Sequence, residues 1–425
     1  MKKILGVTFV ILILLITGFA NSTKITIESN EKEKIKSMES QQWTIMVYLD
    51  GDNNLQDDME YSIGWLEFNG FNEKINIVAQ FDSYDLFEGI RRYKVTENGA
   101  EIVDILEERS MGDEDTIVNF VSWAKNRYPA EKYCLVLSDH GVGWRNGFLR
   151  DETDIVDGKP DYISMIELKS ALNRIKENVL ENQKMNLLVL DACQMGMIEV
   201  YYQIRGTTKV CLASPDMTRG GSPFHMIFDE LYEDVSCNES VLAKYFYWAY
   251  KAYYYYIPLA IYDLEKLTSK VIDSLNDFSS ELIDNYNNCK NEIKNAIKKT
   301  RKYNGVGGYI THYRDLYDFA DEISKNTCYE DIKMKANKLK NDLIDCEIYP
   351  SDDKLISIYL PVFDLKYKYD PSYSDIDLCK DSSWYDFVLK TRHLTSIVLS
   401  KLFVKTPLIF ELFERLINSQ QKSIL

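Results

Sequence analysis

Histidine is scarce in this chain: four in 425 residues, at positions 140, 225, 312 and 393. Imidazole chemistry is therefore confined to four places. No GxSxG, HExxH or P-loop string occurs, and Gly141-Val142-Gly143 has its next glycine, Gly147, one place too late for GxGxxG. These absences weigh against nucleophile-elbow serine hydrolases, zincins and P-loop or dinucleotide enzymes. The eight cysteines contain no CxxC pair and no His/Cys cluster at zinc spacing. Neither a metal site nor a disulfide framework is written in their spacing. Positive charge is short as well, because 50 Lys and Arg against 66 Asp and Glu leave a net charge of −16. Such a surface repels phosphate backbones, so no nucleic-acid partner is expected, while a cationic ligand is weakly attracted.

Apolar residues make up 45% of the chain, enough for a large core without metal or disulfide staples. Met1-Lys2-Lys3, the apolar run Ile4 to Ile16 and the small residues before a cut after Ala20 read as a secretory signal peptide over residues 1–20. An uncleaved anchor is the alternative, since Ile4 to Ala20 reaches the short end of a membrane span. Either way the protein is expected to be secreted or at the cell surface. Residues 21–41 are charged and aperiodic, a linker or pro-segment.

From residue 42 to about 390 short apolar runs alternate with helical stretches. The runs are Trp43 to Leu49, Ile75 to Phe81, Tyr133 to Leu137, Met185 to Leu190, Lys209 to Ala213 and Pro258 to Tyr262. Helices are expected over 55–68, 113–127 and 163–179, the last with Ser164 as N-cap and Glu167 completing a capping box. Ile90 to Val95 reads as one arm of a hairpin. Runs that are apolar on both faces and alternate with helices imply a mostly parallel α/β sheet of six or more strands, with helices on both faces. After Asp263 the pattern is helical over 264–300, 313–324 and 328–344, with one further strand at 355–360. Residues 391–425 are expected to form a helical tail, amphipathic over 394–418, that docks on the core. The Tyr- and Trp-rich stretch 245–256 reads as a helix packed on the sheet, with a substrate-cleft lining or a partner surface as the other readings.

Ligands gather at the carboxyl ends of parallel strands. His140 follows the third run directly, in Leu137-Ser138-Asp139-His140-Gly141, and Cys193 follows the fourth, in Leu190-Asp191-Ala192-Cys193. The two are 53 residues apart with a helical connection between them, so adjacent strands would bring them to one sheet edge. A thiol at its ordinary pKa is mostly protonated, and a neighbouring imidazole can take that proton and return it to a leaving amine. A helix starting just after Cys193 would lower the thiol pKa further. The backbone N–H groups of Gly141 and Cys193 could form an oxyanion hole. Singly, Cys193 could be a buried small hydrophobe and His140 a surface residue; their joint placement favours catalysis.

Strand-His-Gly followed by strand-Asp-x-Cys resembles the caspase-like cysteine peptidases. Within that group the chain is similar to the clostripain family, in Trp43 to Leu55, Asp191 to Gly196, Ala213 to Asp216, Ala260 to Leu264, Asp315 to Ala320 and Ser357 to Pro361. The resemblance covers roughly residues 42–390. It implies an endopeptidase that cuts after Arg or Lys, with Asp191 at the base of the S1 pocket and Asp216 as a second S1 acid. A buried cation needs a charge-assisted partner there; an acidic P1 preference would need Arg instead. The substrates implied are proteins or peptides with a basic P1 residue, and the chain is expected to be a monomer. The alternative is a non-catalytic surface binding protein on the same scaffold. No cofactor and no metal ligands are assigned. The cluster Asp50-Gly51-Asp52-Asn53-Asn54 with Asp57 and Asp58 fails the EF-hand spacing and reads as an Asn/Asp turn. Calcium is left open, since dependence on it varies within the family.

Overall fold

The computed structural model describes residues 41–391 apart from 69, 146, 220, 304–311, 350–354 and 362–370. The signal-peptide reading, the amphipathic tail and the linker reading up to residue 40 lie outside the described residues; Gln41, expected to end the linker, instead opens the first strand of the sheet. The centre is an eight-stranded sheet in the order β10-β9-β8-β5-β1-β2-β3-β4. Its strands are β1 (Gln41–Gly51), β2 (Ile75–Ser83), β3 (Ile90–Thr96), β4 (Gly99–Leu106), β5 (Ala130–Ser138), β8 (Met185–Asp191), β9 (Thr208–Ala213) and β10 (Ala260–Asp263). The five that form the middle, β9-β8-β5-β1-β2, are mutually parallel. The hairpin β3–β4 and the strand β10 close the two edges antiparallel. The expected mostly parallel sheet is thus present with antiparallel edges.

Alternation within each run divides its side chains between two cores. Along β5, Leu135 and Leu137 join one cluster, whereas Cys134 and Val136 join the other. Leu188 and Leu190 of β8 repeat this against Leu187 and Val189. Every one of these side chains is fully or almost fully buried, each contributing about 1.5–3 kcal/mol by leaving water. One face is covered by α1 (Gln56–Glu67), α5 (Phe224–Glu233) and α6 (Glu239–Tyr253). The other is covered by α2 (Glu114–Arg127), α3 (Met165–Arg174) and α4 (Ile198–Gln203). The helices α7 (Ile272–Asp284), α8 (Tyr286–Lys299), α9 (Leu316–Asn326) and α10 (Glu330–Cys346) extend that second layer.

Local chemistry sets the boundaries. Asp113 caps α2 through its carboxylate and Asp115 N–H. The capping box of Ser164 and Glu167 opens α3 as expected. Beyond α3 and its continuation at Ile175–Val179, the chain re-enters the sheet as β8.

Two elements differ from the sequence expectation. Between β5 and α3 the chain forms a hairpin, β6 (Phe148–Val156) and β7 (Lys159–Ile163), so the connection is not simply helical. Its signal was Asp157-Gly158, whose φ values of 52° and 75° suit a two-residue hairpin turn. Residues 313–315, expected to start a helix, form β11 (Tyr313–Asp315) paired with β12 (Ser357–Tyr359). This small sheet is tied to α4 by Glu199, whose Oε1 accepts from Tyr359 N and the Tyr373 hydroxyl, each at 2.8 Å.

Candidate active site

β5 and β8 are neighbours in parallel register, with Ser138 opposite Asp191. Each strand end is followed two residues later by a candidate, His140 in one loop and Cys193 in the other. The two loops press on each other. A Cβ on Gly141 would lie 2.5 Å from the Cys193 carbonyl oxygen and 2.9 Å from the Ala192 Cβ. Only glycine permits that approach. Beyond Cys193, Gln194 adopts a left-handed φ of 63°, and its N–H donates to Asp216 O at 2.9 Å. Gly196 N–H donates to Ser214 O at 2.7 Å, which laces the loop after β8 to the loop after β9.

Cys193 is half-buried, and its Sγ accepts from Thr218 N–H at 3.3 Å. Burial pushes the thiol pKa up; the Thr218 N–H opposes this, while the nearby acids Asp191, Asp216 and Asp139 add to it. The expected help from a helix dipole is absent. α4 starts only at Ile198, and Cys193 sits in the turn before it, away from the helix N-terminus. At neutral pH the resting sulfur is therefore a thiol, and it needs a base.

His140 is also half-buried. Its Nε2 lies 2.9 Å from Asn54 Oδ1. An amide oxygen only accepts, so Nε2 carries the hydrogen and Nδ1 keeps its lone pair. Burial lowers the imidazole pKa; Arg150 adds to this and Glu152 opposes it. A neutral ring with a free lone pair is the form a general base requires. Among the described residues no hydrogen bond joins His140 to Cys193: the sulfur is held by Thr218 and the ring by Asn54.

Asp191 is buried at the end of β8. Its Oδ2 accepts from Ser138 Oγ at 2.7 Å and Ser222 Oγ at 2.8 Å, and Oδ1 is buried without a hydrogen-bond partner. Burial raises its pKa, opposed by hydrogen bonds from Tyr250, Ser138 and Ser222. Asp216 is only partly buried, and its Oδ1 accepts from Met217 N–H at 2.8 Å. Among the described residues the Gly141 and Cys193 N–H groups, the expected oxyanion donors, have no protein acceptor.

Sequence reasoning did not single out Asn54, Thr218, Ser138, Ser222 or Tyr250. Asn54 lay in the Asn/Asp turn, which does form: Asn53 Oδ1 accepts from Leu55 N–H at 2.8 Å. Tyr250 belongs to the aromatic stretch. Phe246, Tyr247 and Tyr250 of that stretch are buried as expected of a helix packed on the sheet, whereas Trp248, Tyr253, Tyr255 and Tyr256 are exposed; Tyr250 also reaches Ser222 and Asp191. His225 packs among Trp65, Phe68 and Tyr253. His393 lies outside the described residues.

A mostly parallel sheet between two helical layers, with Cys and His on adjoining strand-end loops, defines the class of caspase-like cysteine peptidases. The sequence model described as the clostripain family matches residues 47–386, and the chain belongs to that family. It is a cysteine-type peptidase acting on proteins or peptides. Clostripain of Hathewaya histolytica is 24% identical over an alignment spanning 87% of this chain and 85% of that protein. Two solved structures share the fold. A secreted C11 cysteine protease from Bacteroides thetaiotaomicron, bound to an irreversible peptide inhibitor, has a TM-score of 0.60 at 16% identity, covering 81% of this chain and 99% of that one. An inactive zymogen of a C11 protease from Parabacteroides distasonis has a TM-score of 0.61 at 17% identity, covering 80% of this chain and 98% of that one.

Proposed function

We propose that this peptidase is an exported, monomeric endopeptidase that cleaves after Arg or Lys, with Cys193 as nucleophile and His140 as general base. His140 Nδ1 takes the thiol proton as the sulfur attacks the scissile carbonyl. The developing oxyanion is met by the Gly141 and Cys193 N–H groups. The imidazolium then protonates the leaving amine, a thioester remains on Cys193, and water activated by His140 hydrolyses it. Export rests on the sequence of residues 1–20 and on the secreted relative.

The observation that carries the P1 preference is Asp191. A buried carboxylate next to the nucleophile's loop, with one oxygen unpartnered, suits a guanidinium or ammonium group that arrives with the substrate. Asp216, one strand over, would add a second negative charge near the pocket mouth.

The test is turnover of fluorogenic peptides bearing Arg, Lys, Asp or Asn at P1 by wild type, Cys193→Ala and His140→Ala. Turnover confined to Arg and Lys peptides and lost in both variants is expected. Equal cleavage of Asp and Arg peptides would remove Asp191 from the pocket role. No turnover of any peptide would favour a binding protein on a peptidase scaffold.

A further inference from the structure

α1 buries Met59, Ser62 and Leu66, while a neighbouring face of the same helix carries aromatic rings toward solvent. Tyr61 and Trp65 lie one turn apart on that face, and Phe68 follows one turn further. His225, in the first turn of α5, and Tyr253, at the end of α6, complete a cluster. Between ring centroids Trp65 lies 5.4 Å from His225 and 5.2 Å from Tyr253. Phe68 and Tyr253 lie 5.6 Å and 5.7 Å from His225. Phe68 is 74% exposed, Tyr61 66% and Tyr253 46%. Contiguous apolar rings left open to water mark an interaction surface.

The cluster shares a wall with the pocket of Asp191. Gly221, at a φ of 82°, packs closely on α1. A Cβ there would lie 3.2 Å from Asp58 O and 3.5 Å from both Ser62 Oγ and the Trp65 ring. Gly221 O accepts from the Tyr254 hydroxyl at 2.7 Å, and the Tyr254 ring stands edge-on to Tyr253 at 4.7 Å. The next residue, Ser222, donates to Asp191 Oδ2, and earlier in the same segment Thr218 N–H donates to Cys193 Sγ. One strip of chain thus touches the nucleophile, then the pocket acid, and backs onto the aromatic rings.

With Asp191 as the partner of the P1 side chain, the rings lie on the acyl side of the scissile bond, away from the leaving amine. An extended chain advances about 3.3 Å per residue, so three residues upstream of P1 cover about 10 Å, the diameter of one helix. Charge narrows the occupant. Asp57, Asp58, Glu60 and Glu67 accompany the rings on α1, which has no Lys or Arg. Such a face repels a second copy of itself and an anionic lipid surface. It suits a polypeptide that is basic at P1 and apolar just before it. We propose that Tyr61, Trp65, Phe68, His225 and Tyr253 form a subsite for apolar side chains in the three substrate residues preceding P1. The assignment rests on the reading of Asp191 as the base of the P1 pocket.

The test uses the full chain with Cys193→Ala, so that peptides bind without being cut. Four peptides with a fluorescent label after P1 are compared by anisotropy, combining Phe-Leu-Leu or Ser-Gly-Ser before P1 with Arg or citrulline at P1. The apolar peptides should bind about tenfold or more tightly than the polar ones at either P1 residue. Phe68→Ser with Tyr253→Ser, added to that background, should bring the ratio to within about threefold of unity. An apolar-to-polar ratio near one in the parent, an undiminished ratio in the double variant, or binding of none of the four would overturn the proposal. So would an equal gain when the same apolar residues follow Arg. The Arg-to-citrulline comparison reads Asp191 separately: equal affinities there, with the apolar preference intact, would refute the P1 reading and still support the subsite. Benzoylphenylalanine in place of the central Leu needs no variant of the rings. Its photo-crosslink should map to α1, Phe68 or the α5–α6 rings, and a crosslink elsewhere would overturn the assignment.

Discussion

Asp191→Asn keeps the size of the buried side chain and removes its charge. In the free protein the new amide oxygen can still accept from Ser138 and Ser222, which now bond Oδ2. Because burial raises the Asp191 pKa, the carboxylate costs stability as pH climbs above the ordinary Asp range. The neutral amide should therefore leave Tm at neutral pH unchanged or higher. The substrate side behaves oppositely. A charge-assisted bond to a P1 guanidinium contributes about 1.5–3 kcal/mol. Where its loss strands a buried charge, the cost reaches about 3–5 kcal/mol. At about 3 kcal/mol, kcat/KM for an Arg peptide falls on the order of a hundredfold. The assay compares paired peptides with Arg or citrulline at P1, since citrulline keeps the shape and loses the charge. The variant should lose most of the preference for Arg over citrulline while folding normally. An Arg-to-citrulline ratio within about threefold of wild type would refute the assignment of Asp191 to the pocket.

Other outcomes follow from the same geometry. Asn54→Ala frees the imidazole to rotate and to exchange tautomers, so kcat should fall about tenfold or more with KM little changed, and the acid limb of the pH profile should move. An unaltered profile would make Asn54 a turn residue only. Alkylation of Cys193 by iodoacetamide should rise with pH along a curve centred above the ordinary thiol value of about 8.5, since burial raises the pKa. A plateau already reached by pH 6 would mean a preformed thiolate–imidazolium pair. Glu199, fully buried and raised from 4.5 to about 7, destabilises the fold as pH rises between those values. Glu199→Gln should relieve that, raising stability at pH 8 by up to about 3 kcal/mol and changing little at pH 4. An equal effect at both pH values would contradict it.

Much of the fold was legible because parallel strands buried on both faces leave continuous apolar runs, as in Leu135–Leu137 and Leu187–Leu190. Strand ends then placed His140 and Cys193 without any knowledge of contacts. The hairpin β6–β7 was not read, because its strands mix Arg150, Asp151, Glu152 and Asp154 with apolar residues. Of these acids Asp151 is buried and accepts from Met111 N–H, a tertiary bond that solvent patterning does not govern. The thiol environment was misread for a similar reason. A turn ending at Met197 delays α4, and periodicity alone cannot place a helix N-terminus to within a turn. Asn54 and Ser222 come from the loop after β1 and the segment after β9, so their roles exist only once the sheet is assembled.

The central claim is that Cys193 attacks and His140 activates it for substrates with a basic P1 residue. Trapping tests both parts at once: an Arg acyloxymethyl ketone is reacted with the purified chain and the adduct is mapped by peptide mass. One adduct per chain on Cys193 is predicted, formed far more slowly in His140→Ala and by an Asp-based reagent. An adduct on another cysteine, or equal labelling by the Arg and Asp reagents, would contradict the account.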